Sequence, residues 1–249
     1  MDHSRTCQII LLTLKQIFEQ AIDDEIIIRN PCRAVARPRY RKPKKRALTR
    51  DEIKMINSAQ LTLRERMYVN MLYYFGLRRE EALALTKKDF NLRSNVLSIN
   101  KALVFISNKG VIKDTKSVSS DRVISIQSTI KPFIREYLKH LDGDYLFTSL
   151  IDKQLITESS FKKMWKSIMT KFDDAADELC LDQIDGLSSH TFRHNYATML
   201  HSAGVSVKEA QYLLGHSNSS ITMDIYTHLD GANLQADNKL SEYLKSIEK

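Results

Sequence analysis

Cysteine is scarce in this chain: Cys7, Cys32 and Cys180 are all there are. An odd count without a C-x-x-C or other close pair argues against a disulfide framework or a thiolate zinc site, and it fits a reducing, intracellular compartment. Long apolar runs are also missing. Ile9 to Leu12 is far too short to span a bilayer and follows no basic start with a cleavage site, so a soluble, cytoplasmic protein is expected. No Walker A loop, D-x-D carboxylate cluster or H-E-x-x-H occurs, which leaves no sequence signal for a nucleotide cofactor or a catalytic metal. His190, His194 and Cys180 do not form a four-ligand set with finger-like spacing. Repeats and low-complexity tracts are absent. Acid is the scarcer charge, 30 residues against 38 Lys and Arg, for a net charge of +8, so a polyanion is a natural partner.

What is present is enough for a core. At 249 residues and 43% hydrophobic content, the chain is expected to form one or two domains. Leu11, Leu14, Phe18, Ala21 and Ile22 fall at helical spacing and Asn30-Pro31 closes the pattern, so residues 1–38 read as one amphipathic helix with a short extension. One helix cannot make a domain. Between Arg29 and Arg46 lie nine basic residues, three prolines and no acid. Proline keeps such a stretch extended, and its unbroken charge suits it to track phosphates, since each neutralised phosphate releases counterions. Arg37, Arg39, Arg41, Lys42, Lys44, Lys45 and Arg46 are its candidate DNA-binding residues, with 39–47 as the linker proper.

Thr49 with Glu52 reads as a capping box opening a helix, and an apolar helical stretch from Met67 to Leu85 follows. Val96 to Ile106 and Arg122 to Ile126 are rich in β-branched residues and are separated by Ser107-Asn108-Lys109-Gly110, Val111-Ile112 and a polar tip, which suggests a small antiparallel sheet. Segments near 131–140, 157–180, 189–203, 206–214 and 219–228 read as helices, the fourth opened by a box of Ser206 and Glu209. The fold class is therefore mainly α with a small antiparallel sheet, α+β.

Four stretches hold the polar residues that stand out: Gly76-Leu77-Arg78-Arg79-Glu80-Glu81, Thr115-Lys116-Ser117, His190-Thr191-Phe192-Arg193-His194, and Leu214-Gly215-His216 followed by Ile225-Tyr226-Thr227-His228. In this order and at these intervals they resemble the tyrosine recombinase, or phage integrase, family over roughly residues 48–230. That family's signature is an early Arg, a hairpin Lys, an H-x-x-R pair, an L-G-H and a late Tyr. The resemblance places its catalytic residues on Arg78, Lys116, His190, Arg193, His216 and Tyr226, with Glu81 as the acid that follows the first arginine. Lys116 is recognised by context, six places before Arg122 in T-K-S-V-S-S-D-R, and Lys113 is its competitor. Arg79 and His194 are read as neighbours outside the chemistry.

A transition state at phosphorus carries charge on its non-bridging oxygens, and Arg78 and Arg193 suit a clamp there because a guanidinium is planar, forked and always charged. A phenol of pKa about 10 must lose its proton to attack. His190 is the candidate base, His216 a donor to a non-bridging oxygen, and Lys116 the acid for the leaving 5′ oxygen. The resemblance implies a site-specific recombinase with a 3′-phosphotyrosine intermediate and no cofactor. It further implies double-stranded DNA as partner, a homo-oligomer that is tetrameric on DNA, and accessory directionality or DNA-bending proteins. It implies domains at 1–38 (the last part of a helical core-binding domain, with its I-I-I-R-N-P exit), 48–231 (catalytic) and 232–249 (a helical tail, folded on its own subunit or handed to a neighbour). The missing remainder of the core-binding domain fits a fragment, a shortened gene product or a reduced enzyme. Two rivals share the fold: a non-catalytic DNA-binding protein, and a type IB topoisomerase that relaxes DNA without exchanging partners.

Overall fold

The computed structural model describes residues 4–38, 46–114, 121–149, 154–184, 186–216, 220, 222, 223 and 226. Two compact units divide the chain at Lys45 and Arg46. The first holds α1 (Ser4–Asp23). Beyond it the chain folds back along the helix: the Asn30 amide donates to the Lys15 carbonyl and to Glu19, and the Gln8 amide donates to the Pro38 carbonyl at 2.6 Å. Ile9, Ile10, Leu12 and Ile17 are exposed on α1.

The second unit runs α2 (Arg50–Ser58), α3 (Leu63–Phe75), α4 (Arg79–Ala84), β1 (Phe90–Asn91), β2 (Val96–Ile99), β3 (Lys101–Ile106), β4 (Lys109–Asp114), β5 (Arg122–Ser125), α5 (Lys131–His140), α6 (Glu158–Glu178), α7 (Ser189–Ser202) and α8 (Val207–Leu214). The α+β expectation holds. The boxes at Thr49/Glu52 and Ser206/Glu209 open α2 and α8 as the sequence indicates, and a third at Thr62/Glu65 opens α3. No helix among the described residues is long and apolar enough to cross a membrane.

Two expectations need correction. Met67 to Leu85 is not one helical stretch: α3 stops at Gly76, whose φ of +59° lies in the left-handed region, where glycine carries no Cβ penalty. The strands also form two sheets, a three-stranded one in the order β1-β2-β5 and a separate β3-β4 hairpin. Asn100 breaks the run from Val96 to Ile106 between them. Ser107 and Asn108 turn the hairpin, both at positive φ, which is the two-residue geometry that matches strand twist. Asn108 then ties the hairpin tip to the start of α6 by accepting from the Glu158 and Ser159 N–H groups.

The core centres on α3. Met67, Tyr68, Met71, Leu72 and Phe75 are all fully buried, and at their spacing they form one broad apolar face turned into the core. Tyr68 meets Phe147, Phe161 and Trp165 edge-on, an arrangement that suits the aromatic quadrupole. A smaller apolar cluster, Tyr196, Ala197, Ala210, Leu214 and Tyr226, lies between α7 and α8. The candidate site sits where α3 and α8 both end.

Candidate active site

Arg78 and Glu81 come together, though not as two residues of one helix. Arg78 is the N-cap of α4 in extended backbone. Its backbone N–H donates to Glu81 Oε2 at 2.8 Å and its Nη1 to Oε1 at 2.7 Å. A spacing of three serves both arrangements, because an N-cap and the third residue of the helix also face each other.

Glu81 is buried, and a second guanidinium grips it. Arg122 opens β5 with its side chain fully enclosed; Nη1 and Nη2 donate to Oε1 and Oε2 at 3.1 and 2.8 Å. Arg193, on α7, is also buried and lies 4.0 Å from Glu81 Oε2. All three arginines then converge on the end of α8. Arg122 Nε donates to the Leu213 carbonyl at 2.8 Å, Arg193 Nη2 to the Leu214 carbonyl, and Arg78 Nη2 to the Gly215 carbonyl at 2.8 Å. The last carbonyls of a helix lack intrahelical partners and sit at its negative end, so three cations on three successive carbonyls satisfy both needs. Gly215, at φ +63°, permits the approach: a Cβ there would stand 2.7 Å from Arg122 Nη1.

Arg193 Nη1 holds the end of α3 in the same way, donating to the Gly76 carbonyl at 2.9 Å. A Cβ on Gly76 would lie 2.3 Å from Tyr196 Cδ1, and left-handed backbone disfavours any other residue. Gly76→Ala is therefore expected to cost roughly 3 kcal/mol, strain and displacement of the Tyr196 ring combined. Urea unfolding measures this, and an unshifted midpoint would refute it.

Three guanidiniums surround one carboxylate, so the cluster carries excess positive charge. Burial by itself would raise the Glu81 pKa, but the hydrogen bond and charge of Arg122, then the charges of Arg193 and Arg78, bring it down to about 2. Burial, with repulsion from Arg78 and Arg122 against the pull of Glu81, pushes Arg193 down to about 9. Because the folded pKa of Glu81 is depressed, its stabilisation is present above about pH 4.5 and is lost as pH falls toward about 2, on the order of 3 kcal/mol. Wild type should lose more stability than Glu81→Gln across that window in denaturant titrations. Parallel losses would show that Glu81 is not the titrating group.

The remaining expected residues are placed differently. His190 shares α7 with Arg193, but it is exposed while Arg193 points inward. It lines a cleft of about 280 Å³ with Tyr68, Arg79, Glu80, Phe161 and Trp165. Arg79 pairs with Glu80 and lies over the Phe161 ring. His216 follows the Gly215 turn, is buried, and has Nδ1 2.9 Å from Thr222 Oγ1. The Tyr226 hydroxyl donates to the Val205 carbonyl at 3.2 Å, and its ring meets His201 edge-on. Lys116 lies outside the described residues; Lys113 is exposed on β4, opposite Ala102. In the basic stretch Arg37 is exposed and Arg46 forms a bidentate pair with Glu52, while Arg39, Arg41, Lys42, Lys44 and Lys45 also lie outside the described residues. The tail 232–249 does too.

Arg122 is the site residue that sequence reasoning missed, having used it only to locate Lys116. A signal existed. Arg122, Ile124 and Ile126 alternate on one buried face, and a guanidinium on the buried side of a strand requires a buried acceptor.

The family model described as the phage integrase family matches residues 46–232, which contain every member of this cluster. The chain belongs to the phage integrase family. Among curated relatives it is 27% identical to the tyrosine recombinase XerC-like protein of Caldanaerobacter subterraneus subsp. tengcongensis, over 91% of this chain and 63% of that protein. It is 29% identical to tyrosine recombinase XerD of Pseudomonas aeruginosa, over 89% of this chain and 70% of that protein. The chain thus spans less than two thirds of the XerC-like relative. Its fold is that of the Tn1549 transposon integrase solved with transposon right end DNA, with a TM-score of 0.74 at 22% identity over 94% of this chain and 78% of that one. It is also that of a lambda integrase dimer bound to a core site, with a TM-score of 0.62 at 16% identity over 90% and 59%.

Proposed function

We propose that this chain is the strand-cutting and rejoining part of a site-specific DNA recombinase. The observation that carries this reading is the gathering of Arg78, Arg122 and Arg193 around the single carboxylate Glu81 at the turn that leads into His216. A buried site with more cations than anions suits a phosphodiester, whose added transition-state charge preorganised donors stabilise.

In this reading Arg78 and Arg193 hold the non-bridging oxygens and His216 donates to one of them. The Tyr226 oxygen attacks phosphorus as its proton passes to His190. The bond from phosphorus to the 5′ oxygen breaks, and Lys116 protonates the leaving oxygen. A 3′-phosphotyrosine and a free 5′ hydroxyl result, and the same steps in reverse rejoin a strand, since the ester retains the energy of the original linkage. Tyr226 must first release the Val205 carbonyl before its oxygen can attack.

Double-stranded DNA is the proposed partner, with the basic stretch 39–47 following its backbone and a homo-oligomer, tetrameric on DNA, bringing two sites together. The Tn1549 and lambda integrase structures are complexes with DNA, and the lambda integrase there is a dimer. The test is a nicked duplex taken from the DNA flanking the gene, incubated with protein. A covalent protein–3′-DNA adduct supports the reading. Binding without adduct supports a non-catalytic DNA-binding protein, and relaxation of any supercoiled plasmid without joining of two sites supports a topoisomerase.

A further inference from the structure

Arg122 has no role in the chemistry set out above, yet it is the most enclosed member of the cluster, with a side chain 0% exposed. We infer that Arg122 is a positioning residue: it locks Glu81 and the end of α8 together, so that Arg78 and Arg193 present their remaining N–H groups to one phosphate. The inference rests on the recombinase reading.

Its burial separates it from the catalytic arginines. The Arg78 side chain is 33% exposed and meets whatever enters from solvent, whereas Arg122 is walled in. Its donors face inward, toward both oxygens of Glu81 and the Leu213 carbonyl. Glu81 Oε1 is shared between Arg122 Nη1 and Arg78 Nη1. The carboxylate is therefore a bridge, and Arg122 fixes the plane in which Arg78 is held. On its other side Arg122 sets Leu213, one residue before the carbonyl that Arg193 holds and two before the carbonyl that Arg78 holds. The hydroxyl of Tyr212 adds a tie by accepting from the Val123 N–H at 3.1 Å, so β5 and α8 are joined at two successive residues of each. The guanidinium clamp and the turn into His216 thus share one anchor.

Lysine cannot replace it. An ammonium is a point charge, and it cannot engage both carboxylate oxygens in plane while donating to a carbonyl on the opposite edge.

The test uses single-turnover strand cleavage on the nicked duplex at saturating protein, with Arg122→Gln and Arg122→Lys beside wild type. Cleavage is expected to fall by about 100-fold or more in both variants, with DNA affinity within about threefold of wild type, since the Arg122 side chain is enclosed away from the surface. The decisive readout is the same duplex with a methylphosphonate at the scissile position. That linkage is neutral, so a correctly aimed cationic clamp matters far less, and the gap between wild type and variant should shrink to under about 10-fold. A defect of equal size on both linkages would mean that Arg122 merely supports the fold, and would overturn the inference. Full activity in Arg122→Gln, or full rescue in Arg122→Lys, would overturn it as well. If Arg122→Gln does not fold, Arg122→Lys keeps the charge and carries the comparison alone. Failure of wild type to cleave either duplex would overturn the recombinase reading itself, a result distinct from the other outcomes.

Discussion

Tyr226→Phe is expected to abolish the covalent adduct, lowering its rate by about 10⁴-fold or more, as loss of the nucleophile does in covalent catalysis. The folded protein should barely notice. Phenylalanine keeps the ring against Tyr196, Ala197, Ala210, Leu214 and His201. The lost bond to the Val205 carbonyl is worth about 1 kcal/mol. Thermal unfolding and DNA binding should therefore stay close to wild type while the adduct on the nicked duplex disappears. The sequence contains ten tyrosines, so adduct formed by Tyr226→Phe, and mapped by peptide mass to another of them, would end the assignment.

Arg193→Ala should cost cleavage about 10³-fold or more, the scale on which an arginine stabilises charge developing on a transferred phosphoryl group. Its effect on unliganded stability is the smaller part. Truncation strands the Gly76 and Leu214 carbonyls that Arg193 holds, but it also relieves repulsion among buried guanidiniums, the same repulsion that, after burial, lowers the Arg193 pKa to about 9. An anion between the arginines reverses that shift, because it favours the charged form. Phosphate or sulfate should accordingly raise the unfolding temperature of wild type at neutral pH, and raise it less in Arg193→Ala. Equal anion stabilisation of both proteins would show that the anion binds elsewhere.

Local rules carried much of the fold. A capping box is a contact between residues three apart, so Thr49/Glu52 and Ser206/Glu209 could be read without knowing anything else about the chain. The break at Gly76 was harder, because apolar residues continue across it from α3 into α4. The helix ends in the left-handed backbone of Gly76, a position kept for glycine by the Tyr196 ring of α7, which leaves no room for a Cβ. The division of the strands into two sheets was hidden for a similar reason: alternation shows which face is buried but not which strand is the neighbour.

The candidate site divides along the same line. Arg78, Glu81, His190, Arg193, His216 and Tyr226 were chosen from order and interval, and the structure joins Arg78, Glu81 and Arg193 into one network. Arg122 was passed over because its partners, Glu81 and Leu213, lie 41 and 91 positions away. Arg193 turns inward while His190, three places before it on α7, is exposed, a difference that depends on what packs against the helix. By itself the sequence determined the capped helix starts, the family resemblance and the list of charged groups, since each depends on neighbours along the chain. Only the tertiary structure decided that three arginines hold three successive carbonyls around one carboxylate, and that the phenol rests on Val205, because burial and partner choice depend on what packs across the core.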